Sequence, residues 1–334
     1  MNPPRRFLAP KAQLALLALC AFFLTTAPAR AQISCTASMS ALNFGSVNPL
    51  VSYTTSTATL TYNCTNADSK KTHSARLCFS IGEPAGGQLM PRLMSSGATN
   101  KLQFQMYQDS AYATPWTSQL GGSPTSPYQV TLTLAKSASM NSSATLYGQV
   151  LAGQNTAIPG SYVDDYASSD TALRINDVSG NTAPSTCGNT GNITFPFTVS
   201  ATVTKQCVVN AVSDVDLGTV PASATNVANN GNISITCSNT TPYYVGLRPS
   251  NNSTVGAGLM SAPAGNTDKV PYQLYQNAGM TTLWGNTATA SSAGNGVAGT
   301  GTGVAKSHTV YVRAPSADYQ PDSYSDTVTV LVNY

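Results

Sequence analysis

Along much of this chain apolar and polar residues alternate one by one, the period of a strand with one buried face and one wet face. In NITFPFTVSATVTKQC, Ile193, Phe195, Phe197, Val199, Ala201 and Val203 take every odd position, with only polar residues or proline between them. Shorter runs of the same kind, ATLTYNC, YQVTLTL, ISITC, HTVYVRA and DTVTVLVNY, are separated by Gly, Pro, Asn and Ser, and none has a helical period. Strands punctuated in this way predict an all-β molecule.

The chain also repeats itself. Laying Cys35 on Cys207 brings LNFGSV (42–47) onto VDLGTV (215–220) and Cys64 onto Cys237. Further along, LQFQMYQ (102–108) meets VPYQLYQ (270–276), Trp116 meets Trp284, and PGSYVDDY (159–166) meets PDSYSDTV (321–328). One unit is duplicated, which predicts domains at 32–204, including 192–203, and at 205–334. Of the seven cysteines, Cys20 lies in the N-terminal apolar run; the other six, Cys35, Cys64, Cys78, Cys187, Cys207 and Cys237, could pair in fifteen ways. The repeat selects Cys35 with Cys64 and Cys207 with Cys237, leaving Cys78 for Cys187. Closing loops of about 30 residues restricts the unfolded chain by roughly 3.5 kcal/mol each. Short strands, frequent turns and this staple predict two antiparallel β-sandwich domains of immunoglobulin-like kind.

Composition narrows the setting. Arg5, Arg6 and Lys11 precede an apolar run from Leu14 to Leu24, then Ala29-Arg30-Ala31, the small-x-small form of a signal-peptidase site. Residues 1–31 read as a signal peptide cut before Gln32. The apolar run is shorter than the roughly 20 residues of a membrane-spanning helix. Four of the 16 basic residues leave with the leader, so the formal charge of +3 becomes −1 against 13 acidic residues. No basic surface for nucleic acid is expected. An even number of cysteines in the mature chain suits disulfides in an oxidising compartment.

The cysteine followed by a Leu/Phe-Gly step (Leu42, Phe44, Gly45; Leu217, Gly218), the YQLYQ run ahead of Trp284 and the ending PDSYSDTVTVLVNY resemble the spore coat protein U domain, also the subunit domain of archaic chaperone-usher pili. The resemblance covers nearly the whole mature chain, twice. The first copy departs from it at YASSDTALRIND (166–177), where DTVTV is expected. In that family, the resemblance implies, each subunit is a sandwich lacking one strand, and a segment ahead of the next subunit's first cysteine fills the gap. Residues 192–203 look like such a donor strand, completing the preceding domain of the same polypeptide; an ordinary last strand is the alternative. The second domain is then expected to be incomplete, with Val328, Val330, Val332 and Tyr334 in its assembly strand.

After cleavage only Gln32, Ile33 and Ser34 would precede Cys35, and three residues at about 3.3 Å each cannot fill such a groove. The mature chain is expected to accept a strand and give none. The resemblance therefore implies a tip adhesin of a surface pilus that mediates attachment and biofilm formation. Its partners would be a periplasmic chaperone, an outer-membrane usher, a next pilin subunit donating a strand, and a surface or receptor held by the N-terminal domain. A secreted coat or matrix protein that forms no fibre is the alternative.

Candidate chemistry is sparse. His73 and His308 are not equated by the repeat, and no cysteine pair has zinc-ligand spacing. Asp164 and Asp165, neighbours in an extended segment, would point to opposite faces and read as a solvated loop. GTGTGVAKS (299–307) lacks the Gly-Lys order of a phosphate loop, and no G-x-S-x-G elbow occurs. Lys70, Lys71, His73 and Arg76 read as a wet basic loop. No enzyme activity, metal or cofactor is expected. Adhesion would need exposed aromatic or apolar loop residues, for which the candidates are Tyr112, Leu120, Tyr128, Ile158 and Tyr162; Trp116 is assigned to the core because Trp284 repeats it.

Overall fold

The computed structural model describes residues 1, 32–48, 50, 52–84, 89–119, 125–188 and 193–334. Residues 2–31 of the leader and Leu120 lie outside the described residues. Within them, nineteen strands form four sheets, and no helix is long and apolar enough to cross a membrane.

In the first copy an eight-stranded sheet runs β1 (Ile33–Met39), β3 (Thr54–Asn66), β8 (Ser139–Val150), β6 (Asn100–Tyr107), β5 (Arg92–Ser96), β9 (Gly160–Tyr166), β11 (Phe197–Val203), β2 (Leu42–Val47). It shares one core with a three-stranded sheet, β10 (Thr171–Ser179), β4 (His73–Ile81), β7 (Tyr128–Leu134). The second copy has a five-stranded sheet, β12 (Cys207–Val212), β13 (Thr225–Cys237), β18 (Lys306–Ser316), β16 (Lys269–Tyr275), β15 (Ala257–Ser261). Its partner is β17 (Val297–Thr300), β14 (Pro242–Pro249), β19 (Val328–Asn333), around a separate core. Alternation in the sequence becomes alternation of faces: in β3, Ala58, Leu60, Tyr62 and Cys64 are buried while the residues between them are exposed or half-buried.

The repeat recurs as matched local devices. Gly45 and Gly218 have φ of +65° and +76°, a conformation that favours glycine, and their N–H groups donate to Asn43 Oδ1 and Asp216 Oδ1, both at 2.8 Å. Trp116 and Trp284 are wholly buried, their indole N–H groups donating to Phe79 O at 2.8 Å and Val245 O at 2.9 Å. The Tyr162 and Tyr324 hydroxyls donate to Ile158 O at 2.9 Å and Gln320 O at 2.7 Å, four residues upstream, in the manner of a tyrosine corner. Disulfides join Cys35 to Cys64 and Cys207 to Cys237 across directly paired positions of β1–β3 and β12–β13. A third joins Cys78 to Cys187.

The copies differ where the first departs from the family pattern. Between β9 and β10 the chain turns at 167–170, with Ala167 N donating to Asp170 Oδ2 at 2.8 Å. This turn transfers it from the eight-stranded sheet to the three-stranded one. Three residues then lead from β11 to β12. Thr204 N donates to Val47 O at 3.2 Å on one side and Gln206 N to Ser238 Oγ at 3.1 Å on the other.

Candidate functional site

In the first copy β11 runs antiparallel to β9 and parallel to β2. Its inward residues Phe197, Val199, Ala201 and Val203 are 7, 0, 3 and 2% exposed. Paired with β11, β2 is a strand whose Leu42, Phe44 and Val47 are buried. It presses on β8 so closely that a Cβ at Gly148 would lie 2.6 Å from Leu42 Cδ2 and 2.9 Å from Phe44 Cζ. Glycine there is a requirement of close approach.

The second copy has the same frame without the filling. Its large sheet stops at β15. Ser325 exchanges backbone hydrogen bonds of 2.8 and 2.9 Å with Ser261, matching the meeting of β9 with β5 at Val163 and Ser95. Among the described residues no strand pairs with the other edge of 322–327. Segment 215–220, the counterpart of β2, forms no strand; Val215 and Leu217 are half-buried and Val220 is 39% exposed. Where the first copy holds β11, the second holds a cleft of about 390 Å³ lined by Val215, Leu217, Leu247, Leu274, Val312, Val328 and Val330 among others. Val312 pairs with Leu274 at the place where Gly148 pairs with Met106. Without a pressed β2 above it, a branched side chain fits.

One polar pair lies at the rim. Tyr272 donates its hydroxyl hydrogen to Asp326 Oδ2 at 2.6 Å, and burial, reinforced by that carboxylate, drives the Tyr272 phenol far above its usual range. An apolar cleft beside a backbone edge that no strand pairs among the described residues has one natural complement. An extended segment with alternate apolar side chains would satisfy the backbone groups and fill the cleft together.

Several sequence expectations need correction. The segment 192–203 is not one twelve-residue strand, since only Phe197–Val203 is β11. Ile193 instead bridges Leu173 of β10 in the other sheet, and Phe195, fully buried, sends its N–H to Thr171 Oγ1 at 3.0 Å. Pro196 is exposed at the crossing, just ahead of the strand, where a missing N–H does no harm. Among the adhesive candidates, Tyr162 is the wholly buried corner residue, and Ile158 is half-buried with its carbonyl receiving that hydroxyl. Tyr128 packs 4.8 Å from the Trp116 ring, against the core. Tyr112 is half-buried, edge-on to Tyr107 at 5.5 Å and Tyr147 at 6.4 Å. Asp164 is no loop residue: it lies in β9 with Oδ2 buried, and desolvation raises its carboxyl. Val328, Val330 and Val332 pack on the second core, whereas Tyr334 lies beyond β19 and is 41% exposed.

The chain belongs to the Spore Coat Protein U domain family, which matches residues 21–167 and 193–331. Its fold is similar to that of the chaperone–tip adhesion subunit pre-assembly complex CsuC–CsuE, from archaic chaperone-usher Csu pili of Acinetobacter baumannii. That match has 17% identity over 90% of this chain and 100% of that one, TM-score 0.49. The CupB6 tip adhesin from Pseudomonas aeruginosa matches at 12% identity over 90% and 94% of the two chains, TM-score 0.38. CfaE, the adhesive subunit of CFA/I fimbria of enterotoxigenic Escherichia coli, matches at 11% over 77% and 81%, TM-score 0.32. No curated protein matches the chain significantly.

Proposed function

We propose that this protein is a pilus adhesin without enzymatic activity, exported by its leader, whose second sandwich is completed by a strand from the next subunit. The observation that carries the reading is the open cleft standing where the first copy holds its own β11. Transferring β11 onto the second frame gives the donor's register: antiparallel to 322–327 and parallel to 215–220, with apolar residues at alternate positions. In the first copy the buried Phe195, Phe197, Val199 and Val203 contribute about 1.5–3 kcal/mol each before ordering costs. An uncovered cleft and edge would associate nonspecifically, so a periplasmic chaperone covers them until an outer-membrane usher passes the subunit on. The first sandwich, already complete, is the adhesive head that holds a surface or receptor and supports biofilm formation. A place at the fibre tip is supported by β1, which takes Ile33 into its own sheet opposite Asn66, so that the residues next to Cys35 are already paired within this chain.

The test is a thermal melt of the processed protein with a synthetic strand of alternating apolar residues. At about 100 times its Kd the peptide should add roughly 2.7 kcal/mol to the second sandwich, raising that transition and leaving the first where it was. A peptide with acidic residues at the same alternate positions should do nothing. If neither transition moves, the donor-strand reading is wrong, and a secreted matrix protein that forms no fibre becomes the better account.

A further inference from the structure

Gln32 follows Ala29-Arg30-Ala31 directly, and its backbone nitrogen lies 2.9 Å from Asp177 Oδ2. The Ile33 nitrogen reaches the same oxygen at 3.4 Å, and His73 Nδ1 stands 3.3 Å from it. On its other side His73 Nε2 is 3.1 Å from Asp68 Oδ2. The side chains of His73 and Asp177 are only 8% and 9% exposed. A carboxylate this far from water calls for a charged partner. Asp177 belongs to β10 in the three-stranded sheet and Gln32 leads into β1 in the eight-stranded one, so the contact ties the two layers together where the chain enters the fold. The second copy does not repeat it: β12 is entered by continuous chain from β11, and Thr204 N, the position the repeat lays on Gln32, donates to the neutral Val47 O at 3.2 Å.

We propose that Asp177, beside a His73 whose other nitrogen meets Asp68, is the seat of the α-amino group created when the leader is cut before Gln32. The inference rests on that cleavage and is independent of the cleft in the second sandwich. Hydrolysis of the Ala31–Gln32 amide adds one water, leaves a carboxylate on the released leader and an ammonium on the Gln32 nitrogen. The donor facing Asp177 then changes from a neutral amide to a cation, and the hydrogen bond becomes charge-assisted.

A chemical consequence follows for Gln32 itself. A free N-terminal glutamine cyclises when its amine attacks its own side-chain Cδ. A C–N bond forms to the α-nitrogen, the bond to the amide nitrogen breaks, and that nitrogen leaves as ammonia with a proton from the amine. An ammonium held on Asp177 has no lone pair for this attack. The Gln32 carbonyl, accepting from Ala67 N at 2.8 Å, further fixes the backbone. The seat therefore keeps the mature terminus an open glutamine.

The experiment uses exported, processed protein, its terminus read by intact mass before and after incubation at neutral pH. Wild type should keep its ammonia, whereas Asp177→Asn should lose one ammonia roughly tenfold faster or more, the factor of a charge-assisted hydrogen bond. A form retaining Ala31, in which the residue 32 nitrogen is an amide, should melt about 2–4 °C lower in the first transition. That difference should vanish in the Asp177→Asn background. Equal ammonia loss in wild type and variant, or equal melting with and without Ala31, would overturn the proposal. A mature terminus at any residue other than 32 would also overturn it, while leaving the strand-acceptor reading intact.

Discussion

Arg92 is wholly buried in the first sandwich. Its guanidinium donates to Ile81 O and Trp116 O, both at 3.0 Å, to the Tyr166 hydroxyl at 3.1 Å and to Glu83. Burial pushes the Glu83 carboxyl up to about 7, against the opposing pull of Arg92. A carboxyl raised in the fold contributes stability that is complete below its unfolded value, here 4.5, and is lost as pH climbs through about 7. Asp68 and Asp109, held down chiefly by backbone N–H donors from Lys70 and Ala113, lie below 3.8 and stay constant in that window. The second sandwich carries the opposite sign. Burial lowers His308, whose contribution is present above its ordinary 6.5 and lost as pH falls through its folded value. Between pH 5 and 8 the first melting transition should therefore fall while the second rises toward neutrality. Glu83→Gln should flatten the first slope alone. If both transitions shift in the same direction with pH, the assignment fails. Gly148→Val should cost the first sandwich about 1–3 kcal/mol by overpacking, because Leu42 and Phe44 already occupy the space. Denaturant unfolding measures that loss.

At the scale of elements, β11 decides whether a sandwich is closed. Phe195→Ala should cost about 3–5 kcal/mol, the range for a fully buried aromatic. Val199→Asp, which puts a charge between β9 and β2, should expose β2 to proteolysis near Gly45 as its counterpart 215–220 is exposed now. Resistance of that variant to cleavage would show that β2 stands without β11. The inward side chains of this segment were legible from their odd spacing, yet its division was not. Ile193 and Phe197 lie on different sheets facing one core, and a period of two records only the buried face, not the sheet that supplies the pairing.

At the scale of the molecule, two near-copies of one sequence reach different states. One is closed by its own strand; the other keeps an apolar cleft and an edge that no strand pairs among the described residues. The processed protein alone should bind an apolar fluorescent dye at the second sandwich, and the alternating peptide should displace it. Dye bound in proportion to both sandwiches, or undisturbed by peptide, would contradict the asymmetry. Substituting Leu217→Asp should weaken peptide uptake without moving the first transition, a result that calorimetry and melting read separately.

The sequence by itself determined the strand period, the duplication, the cysteine partners and the buried tryptophans, since spacing along the chain carries all of these. Tertiary structure alone decided that Tyr162 and Tyr128 pack inward, that Asp164 lies in β9 with Oδ2 buried, and that 42–47 is a strand while 215–220 is not. Those two segments share a pattern but not a neighbour. A strand exists only when another backbone satisfies its hydrogen bonds, and for LNFGSV that backbone lies more than a hundred residues away, in β11, where no local signal can reveal it.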